Sequence, residues 1–421
     1  MKILVVGGGG REHAICHALA RSRRKPKLYC APGNAGIAKL AECVPIGPME
    51  FDKLIPFAKE TGIDLTVVGM DDPLAAGLVD LLEENGLKAF GPKKNAAIIE
   101  ASKAFSKGLM KKYGIPTAAY EVFDNPDAAR EYLEGVSYPV VLKADGLALG
   151  KGVLICNTKE EALAGIQALM EDRRFGDAGS KIVIEEFLTG REVSVLAFSD
   201  GTHYQTMASA QDHKRALDGD QGLNTGGMGA FSPSPFYTDE IDSYCREHIF
   251  TPTVAAMKQE GREFKGVLYF GLMLTEKRPK VLEYNARFGD PEAQAVLPRL
   301  ETDLVDIMEA CINGSLDQVS LQFSKAAAVC VVLASGGYPE KYEKGFPIEG
   351  LDYFEGKTEE ICFHAGTKAD LEGRVLTNGG RVLGITALGE DLGKARDKAY
   401  AALSHVSFEN AFCRRDIGKD V

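Results

Sequence analysis

Runs of apolar residues alternate with helically spaced apolar positions over residues 1–100. Ile3–Val6 is a continuous apolar run, which is typical of a strand buried on both faces of a sheet. Arg11–Arg23 has apolar residues at helical spacing, and a second strand and helix follow at Leu65–Gly69 and Pro73–Asn85. Strands that alternate with helices in this way predict a parallel α/β domain.

A glycine run separates the first strand from the first helix. Gly7–Gly10 would leave backbone N–H groups free at the N-terminus of the helix, which is a favourable site for an anion. The spacing is not that of a dinucleotide fingerprint, and no acidic residue ends the second strand at Ala31. We expect a small phosphorylated ligand rather than NAD, and a tight turn without a ligand stays open as the alternative.

A compact unit of strands and turns is predicted over about residues 116–190. The strand Tyr138–Ala144 leads into the turn Asp145–Gly152, whose glycines would let the backbone approach a phosphate closely. Lys143 and Lys151 would supply positive charge. These residues alone leave a surface hairpin with solvated lysines open as an alternative to a nucleotide lid.

The segment Ser209–Ser232 is rich in glycine and polar residues and has no regular periodicity. We predict a long irregular loop, and such loops inside compact domains are usually functional or disordered. The hydrophobic residues on either side favour an ordered loop. His213 is expected to form hydrogen bonds rather than to bind a metal, because no second His or Cys stands at ligand spacing.

Polar and apolar residues alternate in the first part of the segment Pro279–Glu292. In a strand, this alternation places Glu283 and Asn285 on one face, about 7 Å apart, with Leu282 and Tyr284 on the other. A carboxylate and an amide oxygen on the same face are suitable ligands for Mg²⁺. An amphipathic strand with a solvated polar face stays open as the alternative.

Beyond Ala326, short apolar strands alternate with glycine-rich turns, which predicts a terminal β-rich domain with little chemistry of its own. The fold class is therefore α/β and α+β multidomain. Its three predicted domains are an N-terminal parallel α/β domain over residues 1–100, a central domain over 101–325 and the C-terminal domain over 326–421.

Composition narrows the classes of function. The chain has 421 residues and a formal net charge of −11, which argues against nucleic acid as a partner. Its nine cysteines include no C-x-x-C pair, so the sequence shows neither a zinc ribbon nor a redox motif. It contains no signal peptide and no apolar run of about 18 residues, which predicts a cytoplasmic protein without a membrane partner.

Seven motifs, taken together and in this order, resemble the phosphoribosylamine–glycine ligase family of the ATP-grasp superfamily. They are GGGGREHA at Gly7–Ala14, PGNAG at Pro32–Gly36, LKADGLALGKGV at Leu142–Val153, EEFLTGREVS at Glu185–Ser194, AQDHKR at Ala210–Arg215, NTGGMGA at Asn224–Ala230 and EYNARFGDPE at Glu283–Glu292. The resemblance covers nearly the whole chain. It implies a central ATP-grasp domain with a small lid subdomain.

The resemblance also implies a reaction. ATP, glycine and 5-phosphoribosylamine would give ADP, phosphate and glycinamide ribonucleotide, an early step of purine synthesis, through an acyl phosphate of glycine. Phosphoryl transfer depends on positioning and charge neutralisation more than on a covalent nucleophile, and no Ser-His-Asp or Cys-His arrangement is needed. The implied cofactors are ATP and Mg²⁺ or Mn²⁺, and the expected assembly is a monomer or a weak homodimer.

Family analogy assigns the nucleotide-binding residues. The phosphates would contact Lys103 and Lys143, the mobile loop would be Gly150, Lys151 and Gly152, the adenine hinge would be Glu185, Glu186, Phe187 and Leu188, and the ribose would contact Glu192. The metal would be bound by Glu283 and Asn285. The preceding strand, Gly271–Leu274, offers no acidic ligand, so we expect few protein ligands to the metal.

The remaining implied residues belong to the substrates. Arg287, Asp212 and Lys214 would be catalytic, with Arg287 neutralising an acyl phosphate or a substrate phosphate. The substrate-binding residues would be Gly8, Gly9, Gly10, Asn34, Asn224, Thr225, Gly226, Gly289 and Asp290. Two alternatives stay open, namely another ATP-grasp ligase or carboxylase of purine metabolism and a catalytically silent nucleotide-binding protein.

Overall fold

The computed structural model describes residues 1–147, 152–174 and 176–419. The N-terminal part is a five-stranded parallel sheet in the order β3-β2-β1-β4-β5. Its strands are β1 Lys2–Gly7, β2 Lys27–Pro32, β3 Glu42–Cys43, β4 Leu65–Val68 and β5 Ala89–Phe90. Its helices are α1 Gly10–Ala20, α2 Phe51–Thr61, α3 Asp71–Ala76, α4 Leu78–Glu84 and α5 Lys94–Ala101. The predicted parallel α/β domain is confirmed.

The prediction of one continuous helix in this part is wrong. The segment Pro73–Asn85 forms two helices, α3 and α4, rather than one. Gly77 separates them with a φ of +94°, a left-handed conformation that favours glycine and ends the first helix.

The lid is a four-stranded antiparallel sheet in the order β6-β9-β7-β8. Its strands are β6 Tyr120–Phe123, β7 Val140–Ala144, β8 Val153–Cys156 and β9 Ile182–Glu186. The helices of this region are α6 Lys103–Tyr113, α7 Pro126–Leu133 and α8 Lys159–Ile166. Both helices that pack on this sheet, α7 and α8, contribute to its apolar core, for example through Leu133 and Ile166.

A second antiparallel sheet, in the order β11-β10-β16-β17, follows the lid in sequence and shares an apolar core with the N-terminal sheet. The strands of residues 191–325 are β10 Arg191–Asp200, β11 Tyr204–Thr206, β12 Gln211–Asp212, β13 Arg215–Leu217, β14 Gln221–Asn224, β15 Gly229–Ser232, β16 Lys265–Leu274 and β17 Pro279–Asn285. The helices are α9 Asp239–Cys245, α10 Thr251–Gln259, α11 Glu292–Val296 and α12 Leu304–Asn313. One apolar core joins Val6 of β1 to Val193 and Phe270 of this sheet.

The segment Ser209–Ser232 is more regular than the predicted loop. It holds four short strands, of which β13 and β14 form a hairpin, while β12 and β15 pair with each other. Strands of two to four residues are too short to show an alternating pattern, and β15 is stabilised by pairing with a distant strand.

The C-terminal part is an antiparallel sheet in the order β12-β15-β18-β22-β19, with β23 also pairing with β18. The strands of residues 326–421 are β18 Ala327–Ser335, β19 Glu360–His364, β20 Thr367–Ala369, β21 Val375–Thr377, β22 Arg381–Gly389 and β23 Ala411–Phe412. The helix of these residues is α13 Leu392–Leu403. The predicted β-rich character is confirmed. No described helix combines the length and apolar character that a membrane span requires.

Candidate functional site

The strand β17 carries the predicted metal ligands and contains a β-bulge. Gly271 of β16 pairs with Glu283, whereas Leu272 pairs with Val281, so Leu282 is an extra residue on β17. Glu283 and Asn285 follow the bulge and share a face, as predicted. The prediction that Leu282 lies beside Tyr284 is wrong, because the bulge shifts the alternation and brings Val281 and Tyr284 into the core together.

Four cationic side chains surround Glu283. Burial would raise the pKa of Glu283, but Lys214, Lys143, Lys103 and Arg287 outweigh it and lower the pKa to about 2. The Nζ of Lys214 is 3.5 Å from Glu283 Oε1. Lys103 begins α6, and burial lowers its pKa. The predicted phosphate, metal and catalytic residues therefore converge on one carboxylate.

Glu185 is a second point of convergence. Its Oε2 lies 3.0 Å from the Nζ of Lys143 and 3.1 Å from the Nζ of Lys107, while its Oε1 is buried and has no hydrogen-bond partner among the described residues. Lys107 also donates to Thr117 Oγ1 at 2.8 Å, and Lys143 donates to the backbone oxygen of Leu282 at 3.1 Å. Sequence reasoning missed Lys107, whose pKa burial lowers to about 8.

The rest of the predicted adenine hinge follows the end of β9. Glu186 closes the strand, and its carboxylate accepts hydrogen bonds from the backbone N–H of Ala119 and from Lys280. Phe187 is exposed and Leu188 is half-buried beyond the strand. The predicted loop residues Gly150 and Lys151 lie outside the described residues, and Gly152 is buried with its backbone oxygen accepting a hydrogen bond from Ala144.

Lys214 connects the predicted ribose, metal and catalytic residues. Its Nζ lies 3.1 Å from Oε2 of Glu192. Burial would lower the pKa of Lys214, but Glu192, Glu283 and Asp212 raise it well above its ordinary value. Burial and the neighbouring carboxylates raise the pKa of Asp212 to about 8, against the opposing effect of Lys214. The site therefore holds one carboxylate that stays ionised, Glu283, and another with a pKa of about 8, Asp212.

Two buried acids near this group were missed in the sequence. Glu100 of α5 pairs with Arg287, with Oε1 2.9 Å from Nη2, and burial raises the Glu100 pKa. Glu292 accepts hydrogen bonds from Tyr269 and Ser194 on the same oxygen, at 2.9 and 3.1 Å. Both acids lie in helices. In the sequence each appears only as a charged residue in an apolar stretch, and this pattern does not show that the side chain is buried.

The Gly7–Gly10 loop lies against the segment that follows β2. A Cβ on Gly8 would stand 2.4 Å from the backbone oxygen of Gly33, so only glycine allows this approach. Gly10 begins α1, and the N–H of Gly9 donates to Glu12 at 2.8 Å. A Cβ on Gly9 would stand 3.7 Å from Oδ2 of Asp290, which places the loop beside another predicted substrate residue.

Asn34, a predicted substrate residue, forms hydrogen bonds within the protein. Its Nδ2 donates to the backbone oxygens of Gly8 and His364 at 2.9 and 2.8 Å, and its Oδ1 accepts from Gly36 and Ile37. It ties the glycine loop to β19, where the N–H of His364 also donates to Nδ1 of His13 at 2.8 Å.

Asp290 is held by an arginine of the C-terminal sheet. Arg381 donates to the backbone oxygens of Asp290 and Gly226 at 2.7 and 2.8 Å, and its Nη2 is 3.3 Å from the Asp290 carboxylate. Burial would raise the pKa of Asp290, but Arg381 and Arg11 lower it. A Cβ on Gly289 would stand 2.5 Å from Oε2 of Glu292, so a larger residue here would displace that carboxylate. Arg381 thus joins the C-terminal sheet to the predicted substrate residues Gly226 and Asp290.

The turn after β14 returns to Lys214. The N–H and Oγ1 of Thr225 both donate to the backbone oxygen of Lys214 at 2.8 Å. Asn224 ends β14 opposite Arg215 in the hairpin. The structure therefore places Thr225 at Lys214, while Gly226 and Asp290 share Arg381.

The chain has an ATP-grasp architecture. The lid sheet and the second antiparallel sheet hold the lysines Lys103, Lys143 and Lys214 and the carboxylate–amide pair Glu283 and Asn285 between them. Three family profiles match the chain. They are phosphoribosylglycinamide synthetase N domain over residues 1–100, ATP-grasp (A) domain over 101–293 and C domain over 328–420. The ATP-grasp fold implies that the chain binds ATP.

Curated relatives and solved structures agree with this match. The phosphoribosylamine–glycine ligase of Caldanaerobacter subterraneus subsp. tengcongensis is 50% identical over 417 residues, 99% of each chain. That of Neisseria meningitidis serogroup B is 49% identical over 420 residues, 99% of this chain and 98% of the relative. The Thermotoga maritima enzyme structure superposes with a TM-score of 0.86 at 36% identity, covering 99% of this chain and 100% of that one. The chain therefore belongs to the phosphoribosylamine–glycine ligase family.

A more distant structure shares the fold alone. A biotin carboxylase from Campylobacter jejuni superposes with a TM-score of 0.74 at 15% identity, over 100% of this chain and 93% of that one. At this identity the likeness concerns architecture and says nothing of the substrate.

Proposed function

We propose that the protein joins glycine to 5-phosphoribosylamine and converts ATP to ADP and phosphate, giving glycinamide ribonucleotide. The observation that carries this proposal is the convergence of Lys103, Lys143, Lys214 and Arg287 on Glu283. Such a group of cations neutralises the charge of a phosphoryl group in transfer, which is the main catalytic requirement of this chemistry. Full-length relatives that carry the ligase name support the same reaction.

The reaction has two chemical steps. A carboxylate oxygen of glycine attacks the γ-phosphorus of ATP, the bond to the β–γ bridging oxygen breaks, and ADP leaves. The amine nitrogen of 5-phosphoribosylamine then attacks the carbonyl carbon of glycyl phosphate, phosphate leaves with the C–O bonding pair, and the amine loses a proton. Asp212, with its pKa raised to about 8, is suited to accept that proton near neutral pH.

The donor set fits a hard divalent cation. Glu283 and Asn285 share a face, the lowered pKa of Glu283 keeps it ionised, and Gly271 opposite leaves space beside it. Mg²⁺ or Mn²⁺ held by these two residues would supply charge neutralisation at the phosphates. Because β16 carries no acidic residue at Gly271–Leu274, few protein ligands would be available.

The nucleotide would lie between the lid and the strand β17. Glu185 Oε1 is a buried acceptor without a hydrogen-bond partner in the described part of the chain, which suits the amino group of adenine. The backbone beyond β9 at Phe187 and Leu188 would complete the hinge. Lys103 and Lys143 would contact the phosphates. At the opposite end of the site, 5-phosphoribosylamine would bind to Gly8, Gly9 and Gly10 together with Asp290. The segment Asn224–Gly226 would lie at the amine of this substrate.

ADP release tests the proposal. Purified protein should release ADP only when ATP, a divalent cation, glycine and 5-phosphoribosylamine are all present. Release that does not depend on glycine or on 5-phosphoribosylamine would overturn the ligase assignment. Parallel reactions with other carboxylate and amine acceptors separate this ligase from another ATP-grasp ligase or carboxylase. A melting temperature raised by ATP with Mg²⁺, without ADP release for any pair of acceptors, would favour the silent nucleotide-binding protein.

Three further features belong to the same proposal. The domains would end near residues 100 and 325, with the lid over about residues 116–190. The protein would act in the cytoplasm as a monomer or a weak homodimer. Gel filtration with light scattering at two concentrations tests the assembly.

A further inference from the structure

An arginine near the end of the described chain contacts the hairpin β13–β14, which adjoins Lys214 and the predicted substrate residues Asn224–Gly226. Arg414 follows β23 and is only 2% exposed. Its guanidinium donates to both carboxylate oxygens of Asp416 at 2.7 Å, to Oδ1 of Asp220 at 2.8 Å and to the backbone oxygen of Arg215 at 3.1 Å. Asp220 and Arg215 belong to the β13–β14 hairpin, 194 and 199 residues away in sequence.

Two more hydrogen bonds join the same segments. Oδ2 of Asp416 accepts from the N–H of Gly219 at 2.8 Å, and the N–H of Arg415 donates to Oδ1 of Asp218 at 2.7 Å. Arg414 lowers the pKa of Asp416 and outweighs the opposing effect of burial. We call Arg414–Asp416 the C-terminal clamp, because it holds the tip of the hairpin at three consecutive residues.

The base of the hairpin is part of the predicted site. Lys214 precedes β13, and Thr225 follows β14 and donates twice to the Lys214 backbone oxygen. A two-stranded hairpin is marginally stable by itself, and this one has a register shift between Arg215 and Leu217. The two leucines that it exposes, Leu217 and Leu223, add little apolar packing. The clamp therefore supplies the contacts that fix the hairpin.

We propose that Arg414 is a positioning residue for the substrate end of the site. It acts through the hairpin, chiefly on the turn at Asn224–Gly226, and its own hydrogen bonds reach the hairpin and not the lid. This inference rests on the proposed function. Its structural basis is the set of hydrogen bonds from the clamp to Arg215 and to the hairpin tip at residues 218–220. The bidentate contact of Arg414 with Asp416 holds the clamp in the geometry that makes these bonds.

Steady-state kinetics of clamp variants test this role. Asp220→Ala removes one clamp contact at a side chain that is 72% exposed, so the C-terminal core stays packed. We expect the Michaelis constant for glycine or for 5-phosphoribosylamine to rise about two- to fivefold, the effect of losing one largely exposed ion pair, with a smaller change in the constant for ATP. Arg414→Lys should fall between the wild type and Arg414→Met.

The matched control is Asp370→Ala. Asp370 also pairs with an arginine, Arg374, at the tip of a hairpin in the C-terminal part, at 2.8 Å. It should alter no Michaelis constant. Equal effects of Asp220→Ala on all three substrates, or effects no larger than those of Asp370→Ala, would overturn the inference. If Arg414→Met does not fold, Asp220→Ala decides. Failure of the proposed function is distinct, since the wild type would then release no substrate-dependent ADP.

Discussion

The ammonium of Lys214 lies 3.5 Å from the carboxylate of Glu283, on the face where Asn285 also lies. The same ammonium reaches Glu192 at 3.1 Å. One lysine thus connects the proposed metal ligands with the proposed ribose contact. A divalent cation bound to Glu283 would compete with Lys214 for the carboxylate, so metal binding and the position of Lys214 are coupled.

Glu283→Gln should lower turnover by about a hundredfold or more, because the amide cannot supply the negative charge that holds a divalent cation. The apparent constant for Mg²⁺ should rise as well. Steady-state assays over a range of Mg²⁺ concentrations measure both effects. Glu276→Gln, in the exposed turn between β16 and β17, is the control. Wild-type turnover in Glu283→Gln would refute the metal assignment.

Lys107→Met should raise the Michaelis constant for ATP roughly tenfold, since Glu185 would lose one of two charge-assisted contacts that fix its carboxylate. The constant for glycine should not change. Kinetics with each substrate varied in turn separate the two results. Lys111→Met, an exposed lysine on the same helix, serves as the control. An unchanged constant for ATP would remove Lys107 and Glu185 from the nucleotide site.

Arg287→Met should have two effects that a second substitution separates. It leaves Glu100 buried without its cation, which costs about 3–5 kcal/mol in the free energy of unfolding. It also removes a cation near Glu283, so turnover should fall about a hundredfold.

The double variant Glu100→Gln/Arg287→Met should recover most of the stability, because no buried charge remains unpaired. Its turnover should stay low. Urea unfolding and steady-state kinetics on the same preparations provide the comparison. Recovered turnover in the double variant would show that Arg287 has a purely structural role.

Stability should fall at mildly acidic pH because of histidines where α1 meets β19. Burial lowers the pKa of His364 to about 4 and that of His13 well below its ordinary value. A group whose pKa is lower in the folded state binds fewer protons there, so the free energy of unfolding decreases as the pH falls from about 6.5 towards 4. Each buried histidine contributes a slope of up to about 1.4 kcal/mol per pH unit.

Urea titrations at several pH values measure this slope. His364→Gln should reduce it, while the amide side chain can still hydrogen-bond to Thr367, the present partner of His364. His248→Gln, at an exposed position, is the control and should leave the slope as it is. An identical slope in His364→Gln and wild type would rule out this histidine as a source of the pH dependence.

Patterns confined to one element could be predicted from the sequence. The apolar runs of β1 and β4 predicted the parallel sheet, and the alternation after the bulge placed Glu283 and Asn285 correctly. The bulge at Leu282 could not be predicted, because it depends on how β16 pairs with β17. Local periodicity carries no information about such pairing.

Buried ion pairs between different helices and strands also could not be predicted from the sequence. Lys107 lies on an amphipathic helix where a solvated lysine is the ordinary expectation, and its burial depends on Glu185 from the lid. Arg381 and Arg414 belong to a segment whose pattern suggested only strands and turns. Their roles follow from contacts with residues more than 90 positions away.

The pairing of β15 with β18 determines how the chain behaves when it is cut into fragments. Gly229–Ser232 forms a ladder with Ala328–Val331, so the two sides of the sequence boundary near residue 325 share one sheet. A fragment that stops before β18 would expose the edge of β15 and its apolar face, and such an edge promotes aggregation. Complementary fragments produced together should recover a soluble complex, whereas either fragment alone should precipitate.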